Sequence, residues 1–187
     1  IANDAGLETI VSFFGQETAE MIKKKYGKPD VIVASSIFTH LENPHEFILA
    51  VKNLLADDGD FIIEVEYIGN IVEDVQFERF YLDRIYYYSL TSLAHLFEKH
   101  GMQIVDVEKI EPHGGSIRVV ACEANPKLSS SKRVLDLLEE EEKKLNLAKL
   151  EDFKQKVDSY ITAFRDKLVE YKEAKLTVAG YSAPARV

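Results

Sequence analysis

The fold is decided by residues 30–67, DVIVASSIFTHLENPHEFILAVKNLLADDGDFIIEVEY. The apolar run at 30–34 follows a Gly/Pro break, which is typical of a short strand buried on both faces of a parallel sheet. Asn43 can cap a helix that begins at Pro44, and the apolar run at 61–65 predicts the next strand. Two such strands joined by a helix indicate an α/β fold.

The remaining pattern extends this unit in both directions. The other predicted elements are a strand at 8–14, helices at 16–26, 90–100, 132–145 and 150–175, strands at 102–110 and 116–122, and a short strand at 176–181. The strands at 102–110 and 116–122 are joined by a Gly-rich turn, which favours an antiparallel pair. Residues 8–65 are therefore predicted to form, in order, a strand, a helix, a strand, a helix and a strand.

Composition and charge exclude several classes of protein. The 187 residues are 46% hydrophobic, which indicates a folded chain, and the single Cys122 excludes an internal disulfide and suits a cytoplasmic protein. No apolar run is long enough for a membrane span, and no signal-like start is present. Residues 1–128 carry 11 Lys and Arg against 21 Asp and Glu, which disfavours nucleic acid as a partner. Because the chain begins with Ile1, we expect a fragment or a processed chain.

A tyrosine-rich stretch, FERFYLDRIYYYSL at residues 77–90, fits neither helical nor strand periodicity. Phenol rings among charged side chains can form the wall of a pocket for a polar ligand. An amphipathic helix with an aromatic underside is the alternative interpretation.

The sheet itself predicts where a ligand would bind. In open α/β sheets, ligands lie outside the carboxyl ends of the strands. That rule selects Phe13–Gly15, Ser35–His40 and Glu64–Tyr67. His40 could line a pocket there or bond to a neighbouring loop, and His113 could approach a ligand or belong to a tight turn.

The sequence beyond residue 129 has a different character. Apolar residues recur at helical spacing through 150–175, which indicates a packing seam and could allow the chain to associate with itself. The acidic run at 139–142 is interpreted as a solvated face. No spacing of His, Cys, Asp and Glu predicts a metal site, and no nucleophile motif is present.

In order and spacing, nearly the whole chain resembles the S-adenosylmethionine-dependent sugar-nucleotide C-methyltransferases that build branched deoxysugars. Residues 30–47 and 57–67 are similar to the fourth and fifth strands of the class I methyltransferase sheet with the intervening helix. Residues 77–90 resemble the family's Tyr-His-Glu-His followed by Tyr-Phe-Ser-Leu. Residues 113–118, HGGSIR, resemble its His-Gly-Gly-Ser turn and next strand, and residues 180–186 are similar to the start of its C-terminal α/β domain.

The resemblance implies a fold class and a domain organisation. The fold would be a partial class I methyltransferase sheet of Rossmann-like type, followed by a helical segment and the start of a second α/β domain. Residues 1–128 would be the C-terminal part of the methyltransferase domain, 129–175 the helical segment and 176–187 the start of the last domain. The activity implied is methyl transfer from S-adenosylmethionine to a nucleotide sugar or a similar small polar molecule.

The resemblance also assigns roles to residues. The cofactor-binding positions would be Phe13 and Phe14 beside the adenine, with Ser35 and Ser36 near the methionine end. The substrate-binding positions would be Tyr67, Tyr87, His113 and Gly114. The family's Gly-rich cofactor loop and ribose-binding acid do not occur in this sequence, so we expect the chain to bind the methyl donor weakly and to be inactive alone.

The central motif departs from the family pattern. Tyr-His-Glu-His falls on Tyr81, Leu82, Asp83 and Arg84, so an arginine stands where the family has its catalytic histidine. Arginine stays protonated and cannot act as a base, although it could stabilise an enolate, a carboxylate or a phosphate. Tyr81, Asp83 or His40 could serve as the base instead. The alternative is a non-catalytic homologue that binds a sugar nucleotide or a partner chain.

Overall fold

The computed structural model describes residues 2–180, and a four-stranded sheet forms its centre. The strands are β1 (Val31–Ser35), β2 (Asp60–Glu66), β3 (Met102–Ile110) and β4 (Ser116–Glu123), in the order β1-β2-β4-β3. The helices are α1 (Gln16–Tyr26), α2 (Pro44–Leu54), α3 (Ile68–Glu73), α4 (Leu90–Glu98), α5 (Lys132–Lys144) and α6 (Leu147–Glu173). Short 3₁₀ turns occur at Phe38–His40, Phe77–Arg79 and Pro112–Gly114.

The predicted β-α-β unit is confirmed. Strands β1 and β2 are parallel, and the Asn43 side chain accepts a hydrogen bond from the Glu46 amide at the start of α2. Pro44 occupies the first turn, where its missing N–H costs nothing. Because a parallel pair needs a crossover, α2 brings the carboxyl ends of β1 and β2 to the same edge of the sheet. The α/β fold class follows from this arrangement.

The antiparallel half of the sheet is also confirmed. Strand β4 pairs antiparallel with both β2 and β3, and the hairpin between β3 and β4 turns through residues 111–115. This hairpin therefore ends at the same edge as the carboxyl ends of β1 and β2.

The core lies on one face of the sheet. Alternate side chains of β2 and β4 pack there with residues of α2, α4 and α5, among them Phe61, Ile63, Val119, Ile48, Val51, Leu93, Phe97 and Leu137. On the opposite face Arg118 bridges Glu64 and Glu108, and Val33 is 64% exposed. The prediction that β1 is buried on both faces is wrong, because no described helix covers that second face.

Two predicted strands do not form. Residues 7–14 have no regular structure, and Ile10, Val11 and Phe13 expose their side chains. Residues 176–180 also lack regular structure, and the rest of the predicted strand lies outside the described residues. A strand requires a hydrogen-bonding neighbour, and neither segment pairs with a strand of the described chain.

The acidic run of α5 is not a uniformly solvated face. Glu141 is buried and accepts hydrogen bonds from the amides of Leu90 (2.6 Å) and Thr91 (2.8 Å) at the N-terminus of α4. It also accepts one from the Thr91 hydroxyl at 2.6 Å. A carboxylate suits this position because the first amides of a helix have no partner within the helix. Glu141 thereby joins α5 to α4.

Helix α6 lies largely apart from the core. None of its residues is buried, although Phe153 contacts Phe80 at 6.3 Å between ring centroids. Phe164 in its apolar stripe is 68% exposed. No helix within residues 2–180 has both the length and the apolar character that a membrane crossing requires.

Candidate functional site

The carboxyl ends of β1 and β2 bring together several residues predicted for the site. Ser35 ends β1, and its hydroxyl donates to Glu64 at 3.2 Å. Ser36 follows with a left-handed φ of 55°, and its amide donates to the Glu64 carbonyl at 3.0 Å. The chain then enters the 3₁₀ turn that carries His40. This edge therefore presents hydroxyl and imidazole groups next to each other.

A cleft of about 640 Å³ lies between the start of α1 and the start of α2. Segments 12–18 and 41–43 line it, together with Glu46 and Phe47. Phe13 is 99% exposed, so its ring is free to stack on a flat group. Phe14 instead packs against Phe47, with ring centroids 5.0 Å apart.

These residues match part of what S-adenosylmethionine requires. An exposed phenyl ring beside the cleft suits an adenine, and the exposed hydroxyls of Ser35 and Ser36 suit a polar amino-acid end. Residues 2–180 contain no glycine-rich turn between a strand and a helix that could cradle the rest of the molecule. Phe13 and Phe14 line the cleft, whereas Ser35 and Ser36 are not among its lining residues.

The tyrosine loop, residues 77–88, is neither the helix nor the strand that an ordinary core segment would form. It begins with the 3₁₀ turn Phe77–Arg79 and continues as turns. The amides of Ile85 and Tyr86 both donate to the Thr39 carbonyl, at 3.0 and 3.2 Å. The loop is thus attached to the segment that follows β1, beside His40.

The charge of Arg84 is neutralised inside the protein by an ion pair. Its guanidinium pairs with Glu66 at the end of β2, and the side chains of Arg84 and Glu66 are only 7% and 6% exposed. It also donates to the Arg79 carbonyl at 3.3 Å and lies 4.7 Å from the centre of the Tyr81 ring. Arg79 approaches the other oxygen of Glu66 at 3.8 Å, and that oxygen accepts no hydrogen bond among the described residues.

His40 contacts the tyrosine loop directly. Its Nδ1 lies 2.6 Å from the backbone carbonyl oxygen of Asp83. A carbonyl oxygen can only accept, so Nδ1 carries the proton. The bond to a neighbouring loop, one of the two interpretations of His40, is therefore present, and the imidazole remains partly exposed.

The predicted substrate-binding tyrosines hold the loop together. Tyr67 is 3% exposed, and burial, with the nearby Glu141 carboxylate, raises the pKa of its phenol. The Tyr87 hydroxyl donates to the Arg79 carbonyl at 3.0 Å and accepts from the Tyr81 amide at 2.8 Å. In this arrangement the Tyr67 hydroxyl is not accessible to a substrate, and the Tyr87 hydroxyl is already bonded.

The His113–Gly114 turn packs against the same loop. His113 is exposed and has a left-handed φ of 57°. A Cβ atom at Gly114 would lie 2.6 Å from a guanidinium nitrogen of Arg79, and one at Gly115 would collide with Asn70. The glycines therefore permit close approach by protein side chains, as a tight turn requires.

Sequence reasoning assigned Glu66 no role of its own, although it lies within the range Glu64–Tyr67 selected for the site, and it did not select Arg79. The signal for Glu66 was present, because Glu64 and Glu66 alternate with buried apolar residues at the carboxyl end of a strand. Arg79 gave no such signal, since its position depends on how the tyrosine loop turns back. Within residues 2–180, no group of three or more His, Cys, Asp and Glu side chains is placed to hold a metal ion.

Comparison with known proteins identifies the family. A profile described as "Methyltransferase domain" matches residues 2–107, and one described as "C-methyltransferase C-terminal domain" matches residues 111–187. The chain is 33% identical over 188 residues to the C-methyltransferase NovU of Streptomyces niveus. That alignment covers 100% of this chain and 45% of the relative, so the chain spans less than half of the relative's length.

Comparison with solved structures gives partial alignments with methyltransferases. A SAM-dependent methyltransferase from Anabaena variabilis aligns with 63% of this chain and 58% of its own, at 14% identity and a TM-score of 0.47. Magnesium protoporphyrin IX methyltransferase from Synechocystis, solved with bound SAH, aligns with 52% of this chain and 46% of its own, at 14% identity and a TM-score of 0.40.

The methyltransferase profile covers more than half of the 187 residues. The predicted family is therefore confirmed at the level of methyltransferases that use S-adenosylmethionine. The chain belongs to the S-adenosylmethionine-dependent methyltransferase family, and its second part carries the C-methyltransferase C-terminal domain.

Proposed function

We propose that the protein methylates a carbon atom next to a carbonyl group of a small polar substrate, and that this substrate is a nucleotide sugar. The observation that carries the proposal is the meeting of His40, Asp83 and Arg84 at the carboxyl ends of β1 and β2. The match to a C-methyltransferase C-terminal domain supports carbon as the methylated atom. The resemblance to sugar-nucleotide enzymes is the reason for the substrate class.

The donor would lie in the cleft at the start of α1. Phe13 would stack on the adenine, and Phe14 would support that wall through Phe47. Ser35 and Ser36 lie outside the lining of this cleft, at the end of β1, and would contact the methionine end. The donor supplies a methyl group on a positively charged sulfur. The task left to this chain is to hold the substrate and to remove one proton from its carbon.

Three side chains remain candidates for the proton acceptor. Tyr81 lies with its ring on the Arg84 guanidinium, Asp83 is exposed, and His40 is partly exposed. Arg84 cannot accept a proton, and Glu66 already balances its charge. His113 and Gly114 would bound the substrate from the β3–β4 hairpin, with Tyr67 and Tyr87 shaping the wall from behind.

The proposal is tested by supplying the complete protein with S-adenosylmethionine labelled with ¹³C in the methyl group and a nucleoside-diphosphate sugar that carries a ring ketone. We expect a new carbon–carbon bond, seen as a ¹³C-methyl signal at the chemical shift of a C-methyl group whose protons correlate over several bonds with a ring carbon of the product. A methyl group found on oxygen, or none transferred to any keto sugar, would contradict the proposal.

A non-catalytic homologue is the second candidate, favoured by the burial of Arg84 against Glu66 where the family has a base. Arg84→His in the complete protein separates the two. If the wild type is inactive and the variant gains C-methylation, the base has been lost in this protein. If the wild type is active, this candidate is excluded.

We also propose that the apolar stripe of α6 allows two chains to associate, since Tyr160, Ile161 and Phe164 are exposed. Size-exclusion chromatography with light scattering tests it, because Phe164→Ser should shift a dimer towards the monomer mass.

Cytoplasmic location stays a prediction from the single cysteine.

A further inference from the structure

The imidazole of His40 is fixed in one tautomer. Its Nδ1 donates to the Asp83 carbonyl at 2.6 Å, so in the neutral ring the lone pair available for a proton lies on Nε2. Nε2 forms no hydrogen bond to any of residues 2–180. A partly exposed imidazole with one nitrogen anchored by a backbone carbonyl and the other free is a usual arrangement for a general base.

The Asp83 carbonyl is held in place by contacts that the next three residues make. Arg84, the next residue, is buried against Glu66 at the end of β2, and its amide donates to the Tyr81 carbonyl at 3.3 Å. After Arg84, the amides of Ile85 and Tyr86 donate to the Thr39 carbonyl, one residue before His40. The Asp83 carbonyl therefore cannot move far without breaking the Arg84–Glu66 pair or these backbone bonds.

We propose that His40 Nε2 is the proton acceptor and that the Arg84–Glu66 pair positions it through the Asp83 carbonyl. This inference rests on the proposed C-methylation. The substrate C–H bond next to the carbonyl breaks, its proton moves to Nε2, and its electron pair forms the enolate. The enolate carbon then bonds to the methyl group as the carbon–sulfur bond of the sulfonium donor breaks and sulfur keeps that electron pair.

The charges around His40 suit this division of roles. Glu66 neutralises Arg84, so the buried arginine is retained as an anchor rather than as a charge facing the substrate. Glu66 itself is nearly inaccessible and bound through one oxygen. Arg84 and Glu66 are thus positioning residues, while His40 would touch the reacting atom.

The first test is nuclear magnetic resonance of the ¹⁵N-histidine-labelled chain. Five histidines are present, and His40→Gln identifies the His40 signals. In its neutral ring we expect His40 to show a protonated Nδ1 and an unprotonated Nε2, the tautomer that is the minor form for free histidine. Arg84→Met should return His40 to a mixture of tautomers, and Arg84→Lys, which keeps the charge opposite Glu66, should restore much of the wild-type signal.

Arg133→Met is the matched control. Arg133 pairs with Asp106 on the far side of the sheet from His40's loop, so its loss should leave the His40 signals unchanged. A wild-type His40 with its proton on Nε2 would overturn the inference, as would an Arg84→Met variant, folded by circular dichroism, whose tautomer is unchanged. The wild-type measurement decides the tautomer even if Arg84→Met does not fold.

The second test follows proton removal without methyl transfer. The complete protein is mixed in D₂O with a nucleoside-diphosphate keto sugar and no donor, and exchange of the proton next to the ketone is measured. His40→Gln should slow exchange at least ~100-fold with little change in KM, and Arg84→Met should slow it less. Full exchange in His40→Gln would overturn the inference, whereas exchange that depends on His40 but leads to no methylated product would overturn only the proposed methyl transfer.

Discussion

At the residue scale, the Arg84–Glu66 pair decides how the tyrosine loop is held. Both side chains are more than nine-tenths buried, so removing Glu66 leaves the Arg84 charge buried without its partner. We expect Glu66→Leu to lower the free energy of unfolding by about 3–5 kcal/mol. The double variant Glu66→Leu/Arg84→Met should recover part of that loss. Urea unfolding followed by tyrosine fluorescence measures both.

The control for this prediction is an ion pair at the surface. Arg133 and Asp106 are 61% and 32% exposed, so Arg133→Met should cost no more than about 1 kcal/mol. If Glu66→Leu costs as little as Arg133→Met, the buried pair does not anchor the loop.

At the scale of elements, Glu141 makes α4 depend on α5. Its carboxylate accepts hydrogen bonds from two backbone amides and one hydroxyl. A hydrogen bond to a charged group contributes about 1.5–3 kcal/mol to stability. We expect Glu141→Ala to lower the free energy of unfolding by about 2–3 kcal/mol. Thermal or urea unfolding measures it.

Glu142, the adjacent residue on the same helix, is exposed and provides the comparison. Glu142→Ala removes the same charge from the same turn and should change stability by less than about 0.5 kcal/mol. Equal effects of the two substitutions would mean that the total charge of α5, and not the cap on α4, is responsible.

A histidine pair connects α2 to the end of α4. His45 Nδ1 lies 2.7 Å from His100 Nε2, and burial, followed by His45 and nearby lysines, lowers the pKa of His100. A histidine with a lowered pKa in the folded state is protonated more readily when unfolded. Its contribution to stability is therefore full above about pH 6.5 and is lost as the pH falls below that value.

We expect the urea midpoint of the wild type to fall between pH 7.5 and pH 5.5, and the fall to be smaller in His100→Gln. His95→Gln is the control, because His95 is exposed on α4 and lies outside the pair. If the urea midpoint of His100→Gln depends on pH as in the wild type, His100 does not cause the loss of stability at low pH.

At the scale of the whole molecule, helices α2, α4 and α5 cover one face of the sheet, and no described helix covers the opposite face. Within residues 2–180, Phe13 and Phe14 line a cleft, and no glycine-rich turn precedes α1. We expect calorimetric titration of the 187-residue chain with S-adenosylmethionine to give no saturation below about 1 mM. A dissociation constant of that size corresponds to a binding free energy of about −4 kcal/mol. A micromolar dissociation constant would contradict this, and the complete protein is the positive control.

Much of this molecule could be predicted from local sequence. Gly27 ends α1, Asn43 starts α2 and Ser89 starts α4, because each signal acts within a few residues of its own element. The strand expected at 8–14 was wrong because apolar alternation does not reveal whether a neighbouring strand is available. The bounds of β3 were predicted to the residue, since Gly101 precedes it and a Gly-rich turn follows.

The site was less predictable than the fold. Ser35, Ser36 and His40 could be placed at the sheet edge because the rule for parallel strands depends only on chain order. The contacts of His40 with Asp83 and of Arg84 with Glu66 join residues 43 and 18 positions apart, and no periodicity encodes them. Tyr67 and Glu141 are 74 positions apart, so the sequence did not reveal that the Tyr67 hydroxyl is buried beside Glu141.

The buried pair also constrains how this sequence could have changed over time. A chain with an uncharged residue at position 66 would leave the Arg84 guanidinium buried without its partner, whereas Glu66 without Arg84 would still have Arg79 at 3.8 Å. Positions 66 and 84 are therefore expected to covary among homologues. An arginine at position 84 is therefore expected only where position 66 carries an acid that can pair with it.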